Sequence, residues 1–263
     1  MFIRTVDRKY EGEFSLTKGR KFSIFSFGGI NMRVDVYQTI QDLEKEKLPG
    51  ADAVVIDVLR MTSTAVNALS NGAKRIRLVG DEEKARKLSR NENALLGGER
   101  GGVKLTGFDF GNSPLEYTKD KVQDQTIVMT TTNGARAAEA VAGAKSIRLC
   151  AFSNVSSVAE SLSSCSRIMI LCAGTHDRFS LDDCLCAGAL CAYLRPDEEN
   201  DLAVGMRLLY ENCRENLHRA LKNTKHYSYL ESIGFSQDLE FCLKTNTRTC
   251  VPVMEADGWF RGK

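Results

Sequence analysis

The chain is poor in the residues and runs that mark several large classes of protein. Only three histidines, His176, His218 and His226, occur in 263 residues, and none of the nine cysteines forms a C-x-x-C pair. A structural zinc site therefore lacks both ligands and spacing, and any metal is expected to be a hard cation held by oxygens. No apolar run approaches the roughly 18 residues of a membrane span. No long basic run or basic-aromatic interleaving occurs, and 36 basic residues nearly cancel 34 acidic ones. Neither a membrane nor a nucleic acid is an expected partner. Low-complexity segments are missing, and no linker rich in Pro, Gly or Ser divides the chain, which reads as one large α/β domain. Nothing in it excludes a homo-oligomer.

What is present fits a metabolic protein of a reducing, cytoplasmic compartment. The odd number of cysteines sits mostly in apolar segments (Cys150, Cys172, Cys184, Cys191), where reduced thiols act as small hydrophobes. Residues 1–31 differ from the rest. Arg4, Arg8, Lys9, Lys18, Arg20 and Lys21 flank a short apolar patch without a small-residue cleavage site, so the segment reads as an appended extension, with the fold running over residues 32–263.

Hydrophobic patterning predicts a strand over residues 32–37, a short polar helix over 40–47, and a buried β-branched strand over 51–58. The hydroxyls Thr62, Ser63 and Thr64 then open a helix to Ser70, and residues 75–79 form the next strand. Strand, polar turn and helix recur at 126–141 and at 167–193. Gly143-Ala144-Lys145-Ser146-Ile147-Arg148-Leu149 echoes Gly72-Ala73-Lys74-Arg75-Ile76-Arg77-Leu78. Helices over 201–213, 216–221 and 227–233 and a strand over 250–253 complete the pattern. Right-handed crossovers predict a three-layer α/β/α fold with a largely parallel or mixed sheet, its turns gathered at the carboxyl edge where such folds bind ligands.

Several of those turns carry candidate chemistry. Gly97-Gly98-Glu99-Arg100-Gly101-Gly102 suits an anion, with close backbone approach, a guanidinium fork at Arg100, and a carboxylate at Glu99 for a metal or water. Its plainer reading is a solvated hairpin. Asp57 ends a buried strand with Arg60 nearby, and either binds Mg²⁺ or phosphate, or caps the following helix. Asp109 and Asn112 lie on a glycine-hinged turn, and Thr131, Thr132 and Asn133 form a hydroxyl-rich helix start of the kind that cradles phosphate or caps a helix. Ser180 and Asp183 have capping-box spacing, which leaves Asp182 the freer carboxylate, and both acids are candidate metal ligands. Cys172, followed by Arg178, partly matches a thiolate-phosphatase loop. A buried core cysteine is the simpler reading.

Taken together, Asp57-Val58-Leu59-Arg60-x-Thr62-Ser63-Thr64, the Gly97–Gly102 run, Gly107-Phe108-Asp109-x-Gly111-Asn112-Ser113-Pro114, Thr131-Thr132-Asn133-Gly134, Phe179-Ser180-Leu181-x-Asp183 and Cys186-Ala187-Gly188-Ala189 resemble the ComB family, the 2-phosphosulfolactate phosphatases. The resemblance implies a Mg²⁺-dependent α/β hydrolase that converts 2-phosphosulfolactate to 3-sulfolactate and phosphate, a step of coenzyme M biosynthesis. On that reading Asp57, Asp109, Asp182 or Asp183 holds the metal, and Asp57, Arg60, Glu99 and Arg100 carry the chemistry. Thr62, Ser63, Thr131, Thr132, Asn133, Asn112 and Arg178 bind the small phosphorylated anion. A broad-specificity phosphomonoesterase and a non-catalytic phosphometabolite-binding module are the alternatives. The chain departs from the family pattern at Thr224-Lys225-His226-Tyr227, in place of Ser-x-His-Gly, and at Asn246, in place of an aspartate.

Overall fold

The structure, a computed structural model, describes residues 31–263; the expected extension lies outside the described residues apart from Asn31. In chain order the elements are β1 (Arg33–Tyr37), β2 (Asp52–Ile56), α1 (Met61–Ser70), β3 (Arg75–Leu78), α2 (Glu82–Glu92), β4 (Leu95–Arg100), β5 (Val103–Lys104), α3 (Lys119–Val122), β6 (Thr126–Thr130) and α4 (Gly134–Ala140). They continue as β7 (Ser146–Cys150), α5 (Val155–Ser161), β8 (Arg167–Cys172), α6 (Leu181–Leu194), β9 (Glu198–Glu199), α7 (Asp201–Cys213), α8 (Leu217–Leu221), α9 (Lys225–Ser232), α10 (Ser236–Cys242), β10 (Pro252–Met254) and β11 (Phe260–Gly262).

One mixed sheet of order β5-β4-β6-β3-β11-β10-β7-β2-β8-β1-β9 runs through the molecule. β2 lies inside it, paired in parallel with β7 on one side and β8 on the other, and its five residues are all buried. A strand covered on both faces has no polar side, which is why it reads as an unbroken Ala/Val/Ile run. Its alternate residues feed two cores. Val54 and Ile56 pack with α5, α6 and α7, and Ala53 and Val55 pack with α1 and α4. Helices on both faces of a mixed sheet are the expected three-layer architecture. Among the described residues no helix is long and apolar enough to cross a membrane.

The antiparallel hairpin β10–β11 separates two parallel blocks, β10 bridging to β7 and β11 to β3. The two echoing segments noted in the sequence are β3 and β7, the strands that flank this hairpin. Three residues per strand are too few to show periodicity, so only the β10 side was legible, as the strand expected over 250–253.

Other expectations need correction. Residues 40–47 form two 3₁₀ turns rather than a helix, because the residues they must bury, Leu43 and Leu48, are five apart and cannot share a helical face. α2 was missed because its face is almost wholly polar. Its caps were the readable signal: Asp81 accepts from the Lys84 N–H, and Asn93 ends the helix at φ 46°. α6 and α7 pack so closely that a Cβ on Gly188 would collide with the Met206 carbonyl, which explains the small-residue run Ala187-Gly188-Ala189.

Candidate functional site

The carboxyl ends of β2, β4, β6 and β8, together with α9, enclose a cavity of about 830 Å³. Asp57 is the first residue beyond β2. Its Oδ1 accepts from the Met61 N–H at 3.2 Å at the start of α1, so it does cap the helix. Its Oδ2 packs against Gly134 at the start of α4, where a Cβ would collide with it. It also lines the cavity. Burial chiefly, with the negative charges of Asp182 and Glu99, pushes its carboxyl up to about 7, against the stabilising Met61 N–H.

Glu99 also lines the cavity and is buried, accepting from the Thr132 N–H at 2.8 Å and the Gly102 N–H at 2.7 Å. It thereby ties the β4–β5 turn to the β6–α4 turn. The glycine run around it is not a free loop. Gly97 and Gly98 lie within β4, where a Cβ would meet Tyr117 and Thr130, while Gly101 and Gly102 make the turn with φ of 58° and 78°. The Gly102 amide of this turn is engaged by Glu99, while Gly101 and Gly102 both line the cavity.

Strand alternation sends Arg100 the other way. Its guanidinium donates to the carbonyls of Glu99 and Gly80 and to Thr130 Oγ1, and it does not line the cavity. Arg60 does line it but is only 2% exposed. Its guanidinium is ion-paired to Asp238, donates to the Gly102 carbonyl and stacks on Phe235 with 3.8 Å between Cζ and the ring centre. It locks α10 to the site instead of standing free as a clamp. Thr62 and Ser63 are also committed, their hydroxyls donating to the carbonyls of Asp57 and Val58. Thr131 Oγ1 accepts from the Ala135 N–H as a cap. Asp109 is exposed on the β4 edge, where it accepts from the Leu96 N–H.

The two acids at the start of α6 differ sharply. Asp183 receives the N–H groups of Val58 at 2.8 Å and Gly174 at 3.0 Å, bracing the exits of β2 and β8. Burial, with the charges of Asp182 and Asp57, holds its carboxyl well above the usual range. The capping-box reading fails, since Ser180 donates instead to Asp182 Oδ1 at 2.6 Å. Neither acid lines the cavity directly. Cys172 is fully buried behind the wall, with Cys184 Sγ 3.8 Å away; that contact and burial drive its thiol well above the ordinary value, the reverse of an activated thiolate.

Four more of the residues singled out in the sequence line the cavity. These are Thr132, Asn133, Asn112 and Arg178, and buried Thr132 Oγ1 and Asn112 Oδ1 have no partner within the described residues. Such orphaned oxygens are rare in a folded interior and mark places where a ligand or water completes the bonding. The sequence reading missed the contribution of α9. Lys225 and His226 join His176 and Arg178 among the basic groups that line the cavity, while Leu59, Phe179, Leu181, Tyr229 and Leu230 supply its apolar surface. The signal was the departing stretch Thr224-Lys225-His226-Tyr227, of which the first three line the cavity. Tyr227 is buried against His218, and Asn246 bonds Ser156 and Tyr193, both outside it.

A sheet edge that assembles carboxylates, orphaned oxygens and basic side chains around one cavity defines a site for a small anion in an α/β protein. The sequence model described as 2-phosphosulpholactate phosphatase matches residues 37–257, and the chain belongs to that family. It is 42% identical to a probable 2-phosphosulfolactate phosphatase of Caldicellulosiruptor saccharolyticus over 231 residues, covering 84% of this chain and 96% of the relative. Proteins of the same description from Caldanaerobacter subterraneus and Clostridium novyi are 40% and 37% identical, covering 85% and 84% of this chain and 96% of each relative.

Proposed function

We propose that the chain hydrolyses 2-phosphosulfolactate to 3-sulfolactate and phosphate with the help of Mg²⁺. The observation that carries this reading is the buried Asp57 carboxylate, which lines a cavity that Arg178, Lys225 and two histidines also line. A substrate bearing phosphate, carboxylate and sulfonate needs several cations. The basic side chains suit the sulfonate and carboxylate, and Asp57 and Glu99 suit a phosphate only if a metal stands between.

The residues present fit such a metal. Among the described residues no three His, Cys, Asp or Glu side chains form a ready-made cage. Mg²⁺ does not require one, since it keeps waters and binds through one or two carboxylates plus substrate phosphate. Asp57 and Glu99 are the carboxylates that line the cavity, and the excess negative charge that raises the Asp57 carboxyl is what a divalent cation relieves. Bound there, Mg²⁺ would offset charge on the phosphate oxygens. Thr132, Asn112 and Asn133, which line the same cavity, would orient those oxygens or the attacking water. Attack by Asp57 itself on phosphorus would use the same placement.

The cavity is larger than a three-carbon substrate requires and is partly apolar, which favours broader phosphomonoester hydrolysis as the second reading. Phosphate release by the full chain from 2-phosphosulfolactate, 2-phospholactate and phosphoglycolate, each with Mg²⁺ and with EDTA, separates these. Mg²⁺-dependent turnover that favours the sulfonate supports the proposal. Equal rates on all three point to the broad phosphomonoesterase, and tight binding without turnover points to a binding module.

A further inference from the structure

Asp182 Oδ2 is the most deeply buried orphan at the site. The residue is 1% exposed, its Oδ1 is engaged by Ser180, and its Oδ2 accepts no hydrogen bond from the described residues. Among the described residues the basic side chain within 4 Å of that oxygen is His226, whose Nδ1 stands 3.9 Å away. Thr175 Oγ1 links His226 to Ser180, 3.1 Å from His226 Nδ1 and 3.1 Å from Ser180 Oγ, and Ser180 in turn donates to Asp182 Oδ1. With Nδ1 held on this inner side, the imidazole leaves Nε2, on the opposite edge of the ring, for the cavity that His226 lines. A buried carboxylate linked through two hydroxyls to an imidazole nitrogen behind a ligand cavity is an arrangement that fixes the orientation of the ring.

Resting on the phosphatase reading above, we infer that His226 is a catalytic residue, the proton donor to the ester oxygen that leaves phosphorus, and that Asp182 is its positioning partner. As the new oxygen–phosphorus bond forms, the bond from phosphorus to the substrate's ester oxygen breaks and its electron pair stays on that oxygen. The proton on His226 Nε2 moves to it, releasing an alcohol in place of an alkoxide. The imidazole regains a proton from the water that supplies the new oxygen to phosphate, so the net change is ester plus water to alcohol plus phosphate. Asp182 Oδ2 offsets the charge of the imidazolium, while Thr175 and Ser180 hold the two partners in register. An alkoxide is a poor leaving group without that proton. A nitrophenolate departs without one.

The test is leaving-group selectivity. Turnover of 2-phosphosulfolactate, or of 2-phospholactate, is compared with turnover of p-nitrophenyl phosphate by the wild type, His226→Asn and Asp182→Asn. The histidine variant is expected to lose roughly a hundredfold or more in kcat on the alkyl ester and to stay within about threefold on the aryl ester. Asp182→Asn, which leaves the histidine in place, is expected to show the same selectivity at about a tenfold loss. Retained aryl turnover also reports an intact site. Equal losses on both esters in both variants would overturn the proton-donor role while leaving the phosphatase reading standing. A wild type that turns over neither ester would overturn both.

Discussion

The sharpest consequence of the site is that its central carboxylate weakens the fold that carries it. Asp57 has its carboxyl raised from 3.8 to about 7, mainly by burial. Between those values the folded chain binds more protons at this position than the unfolded chain, so stability falls as pH rises through that window. Roughly three units at 1.36 kcal/mol each give a penalty of about 4 kcal/mol above pH 7. Asp57→Asn removes the charge while keeping the shape. It also weakens the hydrogen bond from the Met61 N–H, at a cost of about 1 kcal/mol. The metal-free variant is therefore expected to be about 3 kcal/mol more stable than the wild type at pH 8. Near pH 4 the two should be equal or the order reversed. Urea unfolding in EDTA at several pH values measures this, and adding Mg²⁺ should then stabilise the wild type but not the variant. An Asp57→Asn chain that is less stable at pH 8, or whose difference from wild type does not change with pH, would refute the reasoning.

Other expectations follow from side chains now accounted for. Asp238→Ala strands the buried Arg60 guanidinium and should cost about 3–5 kcal/mol, read as a lowered urea midpoint; replacing both partners by apolar residues should recover most of it. Gly188→Ala forces α6 away from the Met206 carbonyl and should lower the thermal midpoint, at about 1–3 kcal/mol, although alanine is the better helix former. Cys172→Ser should keep kcat within about threefold, because a raised, buried thiol is no nucleophile; loss of turnover with folding intact would restore the thiolate mechanism. Arg178→Ala should raise KM roughly tenfold by removing a charge-assisted contact to the anion. Arg100→Ala, whose guanidinium is spent on carbonyls, should leave KM nearly unchanged.

The strands that carry the site were legible because a strand buried on both faces cannot hide its β-branched run, and the polar residues at its end stand out against it. Asp57, Thr132 and Asn133 were found in this way. What the sequence could not resolve was direction. Glu99 and Arg100 are neighbours on β4, and alternation alone puts one into the cavity and the other behind it, so the choice turns on a register set by β6. Asp182 and Asp183 are likewise adjacent. Helical geometry turns one toward Ser180 and His226 and the other toward two backbone amides from separate strand exits.

The wall from α9 was illegible for a different reason. Its helix shows no marked polarity of its own, and its place is fixed by packing distant in sequence: Leu230 joins the core of the α6 face, and the Tyr229 hydroxyl donates to the Gly101 carbonyl across 128 residues. The same helix supplies Lys225 and His226 to the cavity. The acid-bearing turns at the strand ends are thus laid down by the sheet, whereas two of the basic groups that face them arrive only when α9 docks. Substrate charge is then matched by an element outside the sheet, and changes in α9 can retune which anion is accepted without disturbing Asp57 or the strands that hold it.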